Sequence, residues 1–153
     1  MIRVTRRYRF SASHRLHTPA LSEAENRDLY GKCNNPFGHG HDYVLDVSAR
    51  GPVDPATGLA VNVEALDGLV AKCVLDRYSH RNLGADVAEF RSVVPTTENL
   101  GLEILGRLGR HWPDAFQGAW PALDKIRIAE TERNIFEVWA SHGKSPSEGG
   151  LRS

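Results

Sequence analysis

The amino-acid sequence predicts an α+β domain: a four-stranded antiparallel sheet with two helices between strands 2 and 3. Three observations predict this class. Four segments have the alternation or the short apolar runs of strands, and two segments have apolar residues at helical spacing. Their order is strand, strand, helix, helix, strand, strand, which contains two sequential hairpins. We expect one domain over residues 1–140 and a polar, disordered tail over residues 141–153.

The first two strands are predicted by a period of two. Residues 2–10 alternate between apolar and polar side chains, and the pattern returns from His39 to Ala49. The basic run RVTRRYRF could instead form a nucleic-acid patch, but the alternation and a formal net charge of zero favour a half-solvated strand. Between these strands, Ser22 and Glu25 form a capping box for a short helix.

The two helices are predicted by cap residues that precede apolar stripes. Asn62 caps the first helix, and Thr96 or Thr97 caps the second. Three glycines weaken the second helix, and close packing against a neighbour could explain them. The stripes are Val63, Leu66, Leu69, Val70, Cys73 and Val74, then Leu100, Ile104, Leu105, Leu108 and Trp112.

The last two strands are predicted at residues 123–130 and 135–140, joined by a four-residue hairpin. A four-stranded sheet has two unpaired edges, which favours a homo-oligomer. No apolar stretch reaches the roughly 18 residues of a membrane helix, and no secretory signal is apparent. Two cysteines make a disulfide framework unexpected, so we expect a cytoplasmic protein without a membrane or nucleic-acid partner.

The segment CNNPFGHGHDY contains the strongest candidates for chemistry. His39 and His41 project from the same face of a strand, so both imidazoles could bind one metal ion. His14 lies just past the first strand and could be a third ligand, which would give the open three-histidine set of catalytic zinc. The alternative is that these histidines are hydrogen-bonded residues near a turn. Cys33, in a polar turn, is a candidate thiolate, whereas Cys73 lies on an apolar helix stripe and is expected in the core.

Two further candidates lie outside that segment. His80 follows the first helix, where it could be a charge partner of the helix dipole or a proton relay. Glu130 ends an apolar strand face, where a carboxylate needs either an arginine or a guanidine-like ligand edge. The remaining histidines have no special context and are expected on the surface: His17, His111 and His142.

As a group, these residues resemble the 6-pyruvoyl tetrahydropterin synthase family. The matching motifs recur in order over residues 8–139: FSASHRL, LSEAEN, YGKCNNPFGHGHDY, VDPATG, SHRNL, PTTENL and AETERN. The resemblance implies the tunnelling fold, in which subunits join edge to edge into trimeric barrels and two trimers stack into a hexamer. It also implies a zinc-dependent lyase that acts on 7,8-dihydroneopterin triphosphate.

The resemblance also assigns roles to individual residues. His14, His39 and His41 match the zinc ligands, and Cys33 matches the catalytic base. Glu130 matches the carboxylate that anchors the pterin. His80 matches the relay histidine, and Thr97 and Glu98 match residues near the pterin of a neighbouring subunit.

One position departs from the family pattern. Ser79 stands where the family usually has an aspartate before the relay histidine, and a hydroxyl cannot stabilise an imidazolium as a carboxylate does. Asp76 is close in sequence and is the candidate substitute. Ser79 therefore leaves open a pterin-binding protein with impaired catalysis. A second alternative is the sister branch, 6-carboxytetrahydropterin synthase of queuosine biosynthesis, which uses the same substrate and metal. The long CNNPFGHGH loop favours the pyruvoyl branch over the carboxy branch.

Overall fold

A computed structural model of the chain describes residues 1–141. The predicted tail lies outside the described residues apart from Ser141, as does His142, so its disorder and the domain boundary stay predictions. The elements are β1 (Ile2–His14), α1 (Glu23–Tyr30), β2 (His39–Gly51), α2 (Val63–Val70), α3 (Asp76–Tyr78), α4 (Leu83–Asp86), α5 (Thr97–Ala115), β3 (Ala122–Ala129) and β4 (Ile135–Trp139).

The four strands form one antiparallel sheet in the order β1-β2-β3-β4, with α2 to α5 between β2 and β3. The predicted fold class is confirmed. β1 is longer than predicted, because its pairing with β2 continues past Phe10 through Ser13↔Gly40 to His14↔His39. His14 is therefore the last residue of the strand rather than a residue beyond it.

The predicted caps are present in the structure. Ser22 and Glu25 form the complete capping box of α1, and the side chain of Asn62 caps α2. Thr96, not Thr97, caps α5, since its hydroxyl accepts a hydrogen bond from the backbone N–H of Asn99. A π turn at Ala71–Leu75 joins α2 to α3.

The core lies between one face of the sheet and the helices. β2 presents Tyr43, Leu45, Val47 and Ala49 to it, all without exposed surface. Both predicted helix stripes are largely buried, and Cys73 is 3% exposed, as expected for a core cysteine. The histidines at the start of β2 continue this same face, so the site lies at the end of the core layer.

The opposite face of the sheet is polar, and its charges are paired across strands. Arg7 donates two hydrogen bonds to the carboxylate of Asp46, and Arg3 pairs with Asp124. Of the four arginines of this run, Arg3 and Arg7 thus pair with acidic residues of β3 and β2, and Arg6 pairs with Asp67 of α2. These pairs agree with the interpretation as a half-solvated strand.

Of the helices in the described residues, none has both the length and the apolar character needed to cross a membrane.

Candidate metal centre

Three imidazoles converge where β1 ends and β2 begins. His14 and His39 are opposite each other in the strand register, and His41 lies two residues along the same face of β2. The centroids of the three rings are 4.7 to 5.0 Å apart, and each ring presents a nitrogen within 4.8 Å of the others. The antiparallel register of β1 and β2 therefore brings together the three histidines that the sequence suggested as metal ligands.

The hydrogen bond of His14 fixes the orientation of its ring. Its Nδ1 lies 2.7 Å from the carbonyl oxygen of Pro95, which can only accept, so Nδ1 carries the proton. The Nε2 lone pair then points into the cluster. A backbone carbonyl that accepts a hydrogen bond from the other ring nitrogen is typical of histidines that bind metals.

The cluster contains polar atoms that nothing in the described part of the chain satisfies. His14 Nε2, His39 Nδ1 and His41 Nε2 are buried without a hydrogen-bond partner there. Burial lowers the pKa of His14 and of His41, which favours the neutral imidazole that can donate a lone pair. Buried nitrogens normally have partners, so this donor set fits a divalent cation such as zinc.

Glu130 approaches the cluster from the residue that follows β3. Its Oε1 lies 3.4 Å from Nε2 of His41 and 3.6 Å from Nε2 of His14. The hydroxyl of Thr97, at the start of α5, donates a 3.0 Å hydrogen bond to the same oxygen. The carboxylate is thus held by α5 of its own chain, and it can serve either a cation or a ligand N–H edge.

Cys33 lies beside this group in the turn at Gly31–Asn34. Its backbone carbonyl accepts a hydrogen bond from the N–H of Leu16, which ties the turn to the end of β1. Burial raises the pKa of its thiol, and the negative charge of Glu130 raises it further. Both effects favour the thiol form of Cys33 over the thiolate.

Sequence reasoning missed one residue of the site, Tyr43. Its side chain is fully buried, its ring stacks on Phe10, and it meets the ring of His41 at 5.7 Å. Its hydroxyl is buried beside the side chain of Thr97, and burial raises its pKa. The face alternation His39, His41, Tyr43 was visible in the sequence and could have included it.

The remaining candidates lie on other elements than the three imidazoles, and His80 shares a cavity with one of them. His80 has a positive φ of 59° and donates its backbone N–H to the carbonyl of Ser11 on the outer edge of β1. It lines a cavity of about 590 Å³ that also borders Asp42 and reaches His41. Asp76 borders a different cavity and makes no hydrogen bond or ion pair with His80 within residues 1–141. Glu98 is exposed in the first turn of α5.

Comparison with known proteins adds an independent finding. A family model described as 6-pyruvoyl tetrahydropterin synthase matches residues 3–141. Proteins named 6-pyruvoyl tetrahydrobiopterin synthase from Poecilia reticulata and Homo sapiens are each 42% identical over 132 residues. That stretch is 86% of this chain, and it spans 86% and 87% of those proteins.

A solved structure is also similar over nearly the whole chain. The structure of Caenorhabditis elegans 6-pyruvoyl tetrahydropterin synthase matches with a TM-score of 0.82 and 40% identity. The match covers 92% of this chain and 96% of that one. The residues matched by the family model, 3–141, include His14, His39 and His41.

Proposed function

The chain belongs to the 6-pyruvoyl tetrahydropterin synthase family, and from this premise we propose that it converts 7,8-dihydroneopterin triphosphate to 6-pyruvoyl tetrahydropterin. Triphosphate leaves in the reaction. The observation that carries the proposal is the set of three buried, unpartnered imidazole nitrogens beside Glu130 and Cys33.

We propose His14, His39 and His41 as the ligands of a zinc ion, because three histidines and an open position are typical of catalytic zinc. When bound, zinc would polarise the hydroxyls of the substrate side chain and favour the thiolate of Cys33. The carbonyl of Pro95 keeps the lone pair of His14 directed toward the ligand set.

The protein residues supply the remaining chemistry. Glu130, steadied by the hydroxyl of Thr97, accepts two hydrogen bonds from the amino group and ring N–H of the pterin. Cys33 removes a carbon-bound proton from the side chain, the electron pair expels triphosphate from the neighbouring carbon, and the resulting enol becomes a methyl ketone. The remaining secondary alcohol becomes the second ketone as its carbon-bound hydrogen is lost as a proton and the electron pair passes into the pterin ring. The ring takes up protons and changes from the dihydro to the tetrahydro form, so no external reductant is needed. His80 moves protons between side-chain positions, with Asp76 as its candidate partner and Glu98 near the pterin of a neighbouring subunit.

We also propose a homohexamer made of two stacked trimers. The outer edge of β4 carries no described backbone pairing, and neither does the outer edge of β1 over residues 2–10. Exposed apolar residues lie on both edge strands, at Ile2, Ile135 and Trp139. The expected compartment is the cytoplasm, since both cysteines are free thiols.

One incubation tests the reaction. Zinc-loaded protein is mixed with 7,8-dihydroneopterin triphosphate, and products are identified by mass spectrometry. The proposal predicts release of triphosphate without loss of carbon from the side chain. A carboxy product with acetaldehyde would assign the chain to the 6-carboxytetrahydropterin branch. Binding of pterin without turnover would indicate a catalytically impaired binder.

A further inference from the structure

A tyrosine of the core lies at the edge of the candidate metal centre. Tyr43 of β2 has no exposed surface, and its hydroxyl oxygen is buried with the rest of the side chain. That hydroxyl lies beside the side chain of Thr97, the first residue of α5. A buried phenol O–H normally donates to an acceptor, and the oxygen of Thr97 is an acceptor beside it.

The direction of the hydrogen bonds between these side chains follows from their chemistry. The hydroxyl of Thr97 donates a 3.0 Å hydrogen bond to Oε1 of Glu130. A hydroxyl has one proton, and Thr97 uses it on the carboxylate, which as an anion can only accept. The lone pairs of the Thr97 oxygen are then left to accept, and the phenol of Tyr43 is the donor. The donors are therefore arranged in one direction, from Tyr43 to Thr97 to Glu130.

Packing fixes the two donors more firmly than it fixes the carboxylate. The ring of Tyr43 stacks on Phe10 with the centroids 5.1 Å apart, and it meets the ring of His41 at 5.7 Å. Thr97 is buried at the start of a long helix. The side chain of Glu130 has three rotatable bonds and keeps 13% of its surface exposed, so ordered hydrogen-bond donors are needed to restrict its carboxylate.

A second buried tyrosine shows what a purely structural phenol looks like in this core. Tyr78 also has no exposed surface, and its ring also packs against Phe10, with the centroids 6.4 Å apart. Its hydroxyl lies beside the side chain of Arg77, on a different element from the site. The two tyrosines therefore share burial and an aromatic neighbour, and they differ in whether the hydroxyl lies next to a residue that holds Glu130.

Resting on the proposed function, we propose that Tyr43 is a positioning residue, which acts through Thr97 to hold the carboxylate of Glu130 in the orientation that binds the pterin. Hydrogen bonds in series polarise one another, so the donation from Tyr43 also strengthens the bond from Thr97 to Glu130. The effect of Tyr43 on pterin binding must then depend on the hydroxyl of Thr97. The zinc ligands are not part of this series, so the zinc content does not depend on it.

The test is a double-mutant cycle on the two hydroxyls. Tyr43→Phe, Thr97→Val and the double variant are compared with the wild type, because each substitution removes a hydroxyl and keeps the shape of the side chain. Thr97→Ser keeps the hydroxyl, and Tyr78→Phe is the matched control for loss of a buried phenol. Three quantities are measured on zinc-loaded protein: the Kd of unphosphorylated 7,8-dihydroneopterin by fluorescence, the zinc content by plasma mass spectrometry, and the Tm.

We expect Tyr43→Phe to raise the pterin Kd about fivefold in the wild-type and Thr97→Ser backgrounds, and less than about twofold in the Thr97→Val background. Zinc content should stay constant, and Tyr78→Phe should leave the Kd unchanged even where it lowers the Tm.

The same loss of affinity from Tyr43→Phe in every background, or from Tyr78→Phe, would overturn the proposal. If the wild type binds the pterin and shows this coupling but does not turn over the triphosphate substrate, the role of Tyr43 is supported and the proposed function fails. A wild type that does not bind the pterin would overturn both.

Discussion

Substitution of Glu130 distinguishes two roles that this carboxylate can have, anchoring of the pterin and ligation of the metal. Its Oε1 lies within 3.6 Å of two imidazole nitrogens, yet the proposed role is to bind the pterin. We expect Glu130→Gln to keep one zinc per chain and to weaken pterin binding at least about tenfold, because one acceptor becomes a donor. Zinc content by plasma mass spectrometry and pterin affinity by fluorescence check this.

The matched control for that variant is Glu132→Gln, an exposed carboxylate two residues along the hairpin. It should change neither quantity. Loss of zinc from Glu130→Gln would show instead that the carboxylate is a fourth ligand.

Ser79 stands where the resemblance leads us to expect an aspartate before the proposed relay histidine, His80. A carboxylate beside His80 would stabilise the imidazolium formed during proton transfer, and a hydroxyl does so poorly. We expect Ser79→Asp to raise kcat about tenfold or less while KM stays constant. Steady-state kinetics with Ser79→Asn as the uncharged control measures this. An equal response to both substitutions would exclude a charge effect at this position.

At the scale of elements, Gly101 and Gly109 of α5 differ in how closely other residues pack against them. A Cβ on Gly101 would lie 3.2 Å from Cγ2 of Val138 on β4, whereas a Cβ on Gly109 would meet nothing within 4 Å. Close packing therefore explains Gly101 and leaves Gly109 without such a reason.

This difference predicts opposite effects of one substitution. Gly109→Ala should stabilise the protein by about 0.5–1 kcal/mol through helix propensity. Gly101→Ala should destabilise it, since Val138 must move away from its packed position. Thermal denaturation of both variants at one protein concentration is the measurement. Two changes of the same sign would contradict the packing argument.

The free energy of unfolding should also fall in acid, because Asp46 in the sheet loses its charge. The guanidinium of Arg7 holds the pKa of Asp46 below its ordinary value, so the carboxylate stabilises the fold above about pH 4 and that stabilisation is lost as pH falls further. Asp46→Asn should cost about 1–2 kcal/mol at pH 7 and less at pH 3. Urea denaturation at both pH values checks this, with Asp42→Asn as the control. A cost independent of pH would mean that the charge is not responsible.

The sequence predicted elements well where local chemistry decides them. The caps at Ser22, Asn62 and Thr96 and the alternation of β2 depend on neighbouring residues, and they were found. The extension of β1 to His14 was not predicted, because the small residues after Phe10 are held there by pairing with β2. The helix α4 was also missed, although Asn82 caps it as Asn62 caps α2.

The sequence also predicted part of the candidate site, the part that depends on the local pattern of one strand. The periodicity of β2 pairs His39 with His41, but the contact of Glu130 with them depends on the β2–β3 register, in which Val44 is opposite Ala129. That register is not encoded in the local pattern of either strand. The partners of His80 depend on tertiary structure in the same way.

At the scale of the whole molecule, the free edges limit how copies can join. The segment around His80 and Arg81 bonds to Ser11 and Ser13 of β1, so only residues 2–10 of that edge are left for another strand. We expect a mass about six times the chain mass of 16.9 kDa by light scattering, without detectable monomer at micromolar concentration. A monomer under these conditions would contradict assembly through strand edges.

The short segment from Pro95 to Thr97 joins the candidate metal centre to α5, the longest of the described helices. Its three residues give a carbonyl to His14, a cap to α5 and a hydroxyl to Glu130. Occupation of the centre and docking of the helix are therefore thermodynamically linked, and each must strengthen the other by the same free energy. Cation binding should consequently slow hydrogen exchange of the amides in the first turn of α5, so this helix reports the state of the centre.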